Sequence, residues 1–243
     1  NKRIALITKK SKKLFPTGAY PAGSYGHVTQ GMSPRLIAKL RTAAALSSGA
    51  SRPGRCVATL IAAVYGEYAD PEVRLRRELF TSWFRLWADH PSLHRRMRST
   101  WERLLPRLRV AKRWLRVKGP CGAVIATLLD LGWEPSSCER WLDREGCAWE
   151  LVAGFPPQSF VDLLCRDVAL AAWRRAASHY LGAGLERGAD LTRRLNDLAK
   201  ESQGASSGLY TLVVMVTSGS VWCQQRLFDA GLVDTPLCPR CGR

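Results

Sequence analysis

The stretch from Arg74 to Lys118 is strongly cationic, and it constrains the chain more than any other segment. It contains fourteen arginine and lysine residues, with Glu78, Asp89 and Glu102 as its acids. A solvated helix face usually mixes both signs, whereas this stretch is almost wholly positive. Such a surface needs an anionic partner, and a row of cations on a phosphate backbone gains affinity by releasing counterions. The stretch therefore predicts a nucleic-acid-binding surface.

The predicted phosphate contacts lie in the second half of this stretch. They are Arg95, Arg96, Arg98, Arg107, Arg109, Lys112, Arg113 and Arg116. The composition points the same way, because the 243 residues carry a formal net charge of +17. That charge predicts binding to polyanions at low salt whatever the fold, and it does not specify the fold.

Tryptophans stand among these cations, and their spacing leaves two interpretations open. Indole faces can stack on bases. Trp83, Phe84 and Trp87, however, recur at the spacing of an amphipathic helix, which favours burial in a core. Trp101 and Trp114 fit an apolar stripe less clearly. The arginines are therefore the better indicator of function.

Apolar spacing and helix-start signals predict a mainly α fold, an irregular helical bundle with at most a minor short β element. Ser33-Pro34 and Asp70-Pro71 each place a capping residue before a proline, which is typical of a helix N-terminus. His90-Pro91 predicts an interruption, and Pro106 predicts a kink or an end in the next helix. A long amphipathic helix is expected over residues 159–180.

Glycine, proline and β-branched residues predict irregular or extended structure elsewhere. We expect turns and extended chain over residues 14–31 and a turn at residues 119–122. A short strand is expected within residues 147–152. The best strand candidate is residues 209–217, because they are β-branched and lie between serine and glycine residues.

Composition divides the chain into three predicted parts. Residues 1–32 form a basic lead-in rich in glycine and proline, and residues 33–204 form a helical region. Residues 205–243 carry a short strand, a helix and the start of a zinc knuckle. Asn1 is not a start methionine, and Arg243 directly follows a CxxCG turn. We therefore expect a fold that is truncated at both ends.

Cys238 and Cys241 form the CxxCG motif, which can present two thiolates to one zinc ion. Two sulfurs make half of a tetrahedral site, so the other ligands would come from outside the chain, from Cys223 or from a distant histidine. A redox interpretation is weaker, because the strand-to-helix context of thioredoxin-like motifs is missing. No magnesium site is expected: Tyr68-Ala69-Asp70 is followed by Pro71 where a polymerase box would carry a second aspartate.

The remaining sequence signals concern location. The eight cysteines are scattered through helical patterns, which favours reduced thiols and an intracellular location. Within the cell we expect a nuclear location. No apolar run approaches the length of a membrane span, so we expect no membrane partner.

Several segments, which follow one another along the chain, resemble the region downstream of the polymerase core in non-LTR (LINE-type) retrotransposon reverse transcriptases of protists. The resemblance is carried by Lys118–Gly146, Ser218–Arg243, Leu14–Gly18, Tyr25-Gly26, Asp70-Pro71 and the pair Cys238 and Cys241. It implies a thumb and connector region that grips the template and the nascent duplex, with the rest of the polymerase chain and RNA or RNA–DNA hybrid as partners. It also implies that the catalytic aspartates lie upstream of Asn1 and that the other zinc ligands lie beyond Arg243.

Two functional hypotheses follow. The first is a non-catalytic, nucleic-acid-binding segment of a retroelement RNA-directed DNA polymerase. The alternative is a helical scaffold or protein-interaction module whose basic surface serves solubility or an acidic partner. A complete enzyme is the weakest interpretation, because no nucleophile with a base and no suitably spaced pair of carboxylates is visible in the sequence.

Overall fold

The computed structural model describes residues 13–48, 55–151, 157–179, 184–189, 215–216, 218–219, 221, 224–240 and 242. Over these residues the chain is mainly helical, with nine α-helices and one two-stranded antiparallel sheet. The prediction of a mainly α, irregular helical bundle with a minor β element is confirmed.

Helices dominate the described chain, and the two short strands lie between the seventh helix and the eighth. The helices are α1 Tyr20–Ser24, α2 His27–Gln30, α3 Pro34–Ser47, α4 Val57–Tyr65, α5 Pro71–Asp89, α6 His94–Leu108, α7 Gly119–Leu131, α8 Pro157–Ala177 and α9 Gln224–Asp229. The strands are β1 Arg140–Leu142 and β2 Ala148–Glu150. A π-helical turn at Phe15–Ala19 precedes α1, and 3₁₀ turns occupy Glu67–Ala69, Pro91–Leu93 and Arg113–Leu115.

Two predicted helix starts are confirmed, and one of them has the expected cap. Helix α3 begins at Pro34 after an extended Ser33, and α5 begins at Pro71. The Asp70 side chain accepts a hydrogen bond from the Glu72 backbone N–H at 2.9 Å. The Asp70 carboxylate is thus a helix cap, which agrees with its interpretation as a helix start.

The lead-in at residues 14–31 was expected to be turns and extended chain, and that prediction is wrong. It forms the π-helical turn, α1 and α2, with prolines in the first turns. Gly26 and Gly31, with φ of 72° and 67°, separate these short helices from each other and from α3. Proline is compatible with a first helical turn, so local composition alone did not exclude helix here.

Three further expectations need correction. Residues 119–122 are the first turn of α7 and not a separate turn, since Pro120 occupies an early helical position. Pro106 does not end α6, which continues to Leu108, and the predicted kink stays a prediction. Met215 and Val216, from the predicted strand at residues 209–217, are helical, and the rest of that segment lies outside the described residues.

Other predicted elements are confirmed. The chain leaves the helix at His90 and Pro91, between α5 and α6. Helix α8 lies within the predicted range apart from its first two residues, and β2 falls within residues 147–152. The division into three parts at residues 32 and 204 stays a prediction. No helix in the described ranges is long and apolar enough to cross a lipid bilayer.

The main core lies between α5, α6, α7, α8 and the β-hairpin. Trp141 of β1 is fully buried at its centre, with ring centroids of Phe84, Trp101 and Phe160 at 5.7, 6.3 and 5.5 Å. Aromatic pairs at such distances add about 0.5–1.5 kcal/mol each to the free energy gained by burying area. The cluster therefore fixes the hairpin against α5, α6 and α8.

A smaller core joins the lead-in to the next helices. It contains Phe15, Tyr20, Met32, Ile37, Ala44, Ile61 and Leu75. Gly31 brings the chain close to α7: a Cβ placed there would lie 2.8 Å from the Ala123 Cβ and 2.8 Å from the Trp114 ring. Glycine is required at this position by both its φ and the available space.

Candidate nucleic-acid interface

Helix α6 buries one side and exposes the rest, which decides where its cations lie. Met97, Trp101 and Leu108 are buried at spacings of four and seven residues. These spacings place them on one side of the helix, against the main core. Most of the arginines of α6 are therefore directed away from the core, but toward different neighbours.

Three of the eight predicted phosphate contacts are paired with carboxylates of this chain. Arg98 pairs with Glu139, Arg109 pairs with Glu134, and the Arg113 guanidinium lies 2.9 Å from Asp130. We call Arg98, Arg109 and Arg113 the paired set. Their positive charge is already partly neutralised, so we expect each of them to bind a phosphate more weakly than an unpaired cation does.

The chain from Glu134 to Glu150 contains β1 and β2, and we call it the hairpin segment. It holds the acids of the first two pairs in place. The Glu134 and Leu142 backbones exchange two hydrogen bonds of 2.8 Å each. The Trp101 indole N–H donates to the Pro135 carbonyl at 3.1 Å, which ties this segment to α6. Sequence reasoning missed these pairs because the acids follow the arginines by 25 and 41 residues, a separation that only the tertiary fold closes.

Among the arginines that have no carboxylate within 4 Å in the described chain, four lie along one side of α6 or beside its C-terminal end. They are Arg96, Arg103, Arg107 and Arg116, and we call them the cationic row. Arg96, Arg103 and Arg107 lie within about 40° of one another around the axis of α6. Arg116 reaches the same end, since its guanidinium donates to the Arg107 carbonyl at 3.4 Å.

Arg103 belongs to this row although it was not among the predicted phosphate contacts. The signal was present in the sequence, because it follows Arg96 by seven residues and precedes Arg107 by four. Such spacings repeat one face of a helix. From Arg96 to Arg107 the row extends about 16 Å along the axis. That length matches several phosphates on one strand of a duplex, which are about 3.4 Å apart along its axis.

The other two predicted contacts lie beside the row. Arg95 is exposed on α6, about 100° around the axis from Arg96. Lys112 is exposed in the turn after α6. Neither has a carboxylate partner within the described part of the chain. The eight predicted residues thus do not share one face. Five of them have no carboxylate partner in the described chain: Arg95, Arg96, Arg107, Lys112 and Arg116.

The tryptophans are occupied by contacts within the chain. Trp83 and Trp101 are each 1% exposed, which confirms the core interpretation for Trp83 and extends it to Trp101. The Trp114 indole donates to Asp130 at 2.7 Å, and its ring lies 5.0 Å from the Arg76 guanidinium. Trp87 stacks on His94 at 3.7 Å. This region is therefore suited to phosphate contacts more than to base stacking.

Three buried thiols lie in or near the main core. Burial raises the pKa of Cys121 and Cys165, and burial together with Glu139 raises the pKa of Cys138 to about 12. These thiols are therefore protonated near neutral pH and are poor nucleophiles.

The predicted zinc half-site falls at the edge of the described residues. Cys238 is described and Cys241 is not. The Gly242 N–H donates to the Cys238 carbonyl at 2.8 Å, with a Gly242 φ of 68°. Across the described ranges, no three or more histidine, cysteine, aspartate or glutamate side chains are grouped to hold a metal ion. Zinc binding by the CxxC motif stays a prediction.

Comparison with known proteins did not identify a family. No protein-family model matches the chain, and searches of curated proteins and of solved structures found no match.

Proposed function

We propose that this chain binds the sugar-phosphate backbone of RNA or an RNA–DNA hybrid through the cationic row. The observation that carries the proposal is the contrast within one region. Arg98 and Arg109 are neutralised by acids of the hairpin segment, whereas Arg96, Arg103 and Arg107 have no acidic partner in the described chain. Unpaired, exposed guanidinium groups along one helix face gain most from phosphates.

The proposed context is a non-catalytic segment of a retroelement RNA-directed DNA polymerase. This part rests on the resemblance carried by Lys118–Gly146 and Ser218–Arg243. The parent polymerase would supply the catalytic carboxylates, and this segment would hold the template or hybrid. The zinc half-site at Cys238 and Cys241 belongs to the same proposal.

A salt titration tests the proposal. The affinity of the chain for an RNA–DNA hybrid is measured by fluorescence anisotropy at several salt concentrations. Four phosphate contacts predict a slope of about −3 when log affinity is plotted against log salt. A slope shallower than about −1 would contradict the proposal, because it would mean that fewer than two phosphates are neutralised.

Competition with heparin separates this function from that of a basic scaffold. If the chain recognises a phosphate backbone on a surface of defined length, unlabelled hybrid should displace the labelled hybrid better than heparin at equal charge concentration. Equal competition by the two polyanions would favour the scaffold hypothesis, in which only net charge matters.

A further inference from the structure

A cavity of about 260 Å³ lies where α3, α5, α7 and α8 meet. Arg41, Arg76 and Arg175 line it together with Glu72 and Asp130, and Ile37 and Ala38 form part of an apolar wall. The volume is several times the share of one water molecule in the liquid, which is about 30 Å³. None of these residues belongs to the cationic row, so the cavity is a separate feature.

Arg76 is the unusual residue of this cavity. It is 5% exposed, and its guanidinium donates a hydrogen bond of 2.6 Å to the Thr127 hydroxyl. The nearest carboxylate oxygen in the described chain, on Asp130, is 3.8 Å away, which is too far for a hydrogen bond. A buried guanidinium normally needs a closely bonded anion, because removing its charge from water is strongly unfavourable.

The surrounding carboxylates are engaged by other groups. Asp130 accepts from Arg113 at 2.9 Å and from the Trp114 indole at 2.7 Å. Asp70 accepts from Arg41 at 3.0 Å, and Glu72 pairs with Arg175. The cluster of Arg41, Arg76, Arg113 and Arg175 with Asp70, Glu72 and Asp130 therefore carries one more positive than negative charge.

The electrostatics around Arg76 agree with this count. Burial lowers its pKa, and the nearby Arg175 lowers it further, whereas Glu72 and Asp130 raise it. An anion in the cavity would favour the charged guanidinium that burial disfavours.

We propose that this cavity binds one phosphate group of a phosphate ester. Arg76 lines the cavity from α5, Arg41 from α3 and Arg175 from α8. Their planar guanidinium groups each carry several N–H donors, which suit the oxygens of a phosphate. The apolar wall at Ile37 and Ala38 accommodates the carbon-bearing side of the ester. The phosphate belongs either to a free nucleotide or to the end of a nucleic acid strand. The proposal does not depend on binding at the cationic row.

The test measures binding of three probes to the full chain by isothermal titration calorimetry. The probes are adenosine 5′-monophosphate and one RNA oligonucleotide prepared with a 5′-phosphate or with a 5′-hydroxyl. Sodium chloride at matched ionic strength provides the baseline. Saturable binding of the nucleotide, or tighter binding of the 5′-phosphorylated than of the 5′-hydroxyl oligonucleotide, supports the proposal. No binding of the nucleotide above the baseline, together with equal binding of the two oligonucleotides, overturns it.

Two variants test whether any phosphate binding takes place in the cavity. Ala38→Leu narrows it from an exposed position on α3, and Arg175→Gln removes a surface cation, so both leave the buried core intact. Matched controls are Ala88→Leu and Lys39→Gln, at exposed helix positions that do not line the cavity. We expect the cavity variants to weaken phosphate binding at least tenfold and the controls to change it less than twofold. Equal effects of variants and controls would overturn the proposal.

The oligonucleotide pair identifies the source of the phosphate. Preference of at least tenfold for the 5′-phosphorylated strand, lost in Ala38→Leu, identifies a nucleic acid end. Binding of the free nucleotide without that preference identifies a small phosphate ester. Both outcomes support the cavity site. A variant with Arg96, Arg103 and Arg107 replaced by glutamine should bind the nucleotide normally, which separates failure of this site from failure of the cationic row.

Discussion

The paired set and the cationic row occupy the same basic stretch but have different surroundings. Arg98 and Arg109 are directed toward the hairpin segment, where Glu139 and Glu134 neutralise them. Arg103, in the cationic row, makes its hydrogen bond to the Ser99 carbonyl of its own helix. The difference shows that cations close in sequence are not equivalent. Those that meet a fixed acid stabilise contacts within the chain, and those that do not remain available to a partner.

The first prediction concerns how well solvent is excluded from the contact between α6 and the hairpin segment. Cys138 is 1% exposed beside Arg98 and Glu139, and its pKa is raised to about 12. At pH 8 a thiol with that pKa is thiolate in about one part in ten thousand. Mass spectrometry should show alkylation of Cys138 at least about a thousandfold slower in the folded chain than in denaturant.

The pH dependence gives this prediction a control. Because the pKa is raised, the thiol form persists as the pH increases, and the native-state rate should keep rising between pH 8 and pH 10. A rate that levels off near pH 9 would indicate an ordinary thiol and an open interface on this side of α6.

The second prediction compares the two sets directly. Replacing Arg96, Arg103 and Arg107 together by glutamine should lower the affinity for RNA–DNA hybrid about a hundredfold near 0.1 M salt, with a salt slope shallower by about 2 to 3. The matched variant replaces the paired set, Arg98, Arg109 and Arg113, and removes the same charge. Fluorescence anisotropy should show a loss of less than about tenfold for that variant.

Equal losses for the two triple variants would contradict the distinction between them. Circular dichroism and thermal unfolding serve as controls, because the paired-set variant also loses ion pairs. A variant that is unfolded at the assay temperature would be replaced by the corresponding single substitutions.

The third prediction concerns a variant in which two arginines of the paired set lose their carboxylate partners and can bind phosphates instead. Glu134→Gln combined with Glu139→Gln should free Arg109 and Arg98 from their partners. We expect hybrid affinity to increase about threefold to tenfold, with a salt slope steeper by as much as about 1.5. Glu145→Gln combined with Glu186→Gln makes a charge-matched control, because neither carboxylate pairs with an arginine in the described part of the chain. Equal gains from both double variants would indicate a net-charge effect only.

The fourth and smallest prediction concerns stability. Arg113 is partly buried and bonded to Asp130 at 2.9 Å, whereas Arg116 is exposed and bonds weakly to a backbone carbonyl at 3.4 Å. Urea denaturation should show that Arg113→Gln lowers the free energy of unfolding by about 0.5–1 kcal/mol. Arg116→Gln should change it less, and a larger loss for Arg116→Gln would contradict the assigned pairs.

Much of the fold could be predicted from the sequence because its signals are local. Asp70 before Pro71 marks the start of α5, and the apolar spacing around Trp83 predicts its buried face. The lead-in was mispredicted because its prolines and glycines also suit short helices, and burial of Phe15 and Tyr20 decides the outcome. That burial depends on helices that follow later in the chain, so no local pattern contains it.

The candidate interface was predictable only in part. The charge excess correctly indicated where the exposed cations lie, and Arg96 and Arg107 were selected from it. The pairing of Arg98 and Arg109 depends on the hairpin brought over α6 by Trp141, and its acids are distant in sequence. Arg103 could have been included from helical spacing alone.

Arginine footprinting tests the central claim most directly. Phenylglyoxal modification of the full chain, followed by peptide mass spectrometry, reports how accessible each guanidinium is with and without bound RNA–DNA hybrid. We predict that hybrid protects Arg96, Arg103 and Arg107 and leaves the modification of Arg98 and Arg109 nearly unchanged. Protection of both sets to the same extent, or of Arg98 and Arg109 in preference to the cationic row, would contradict the account.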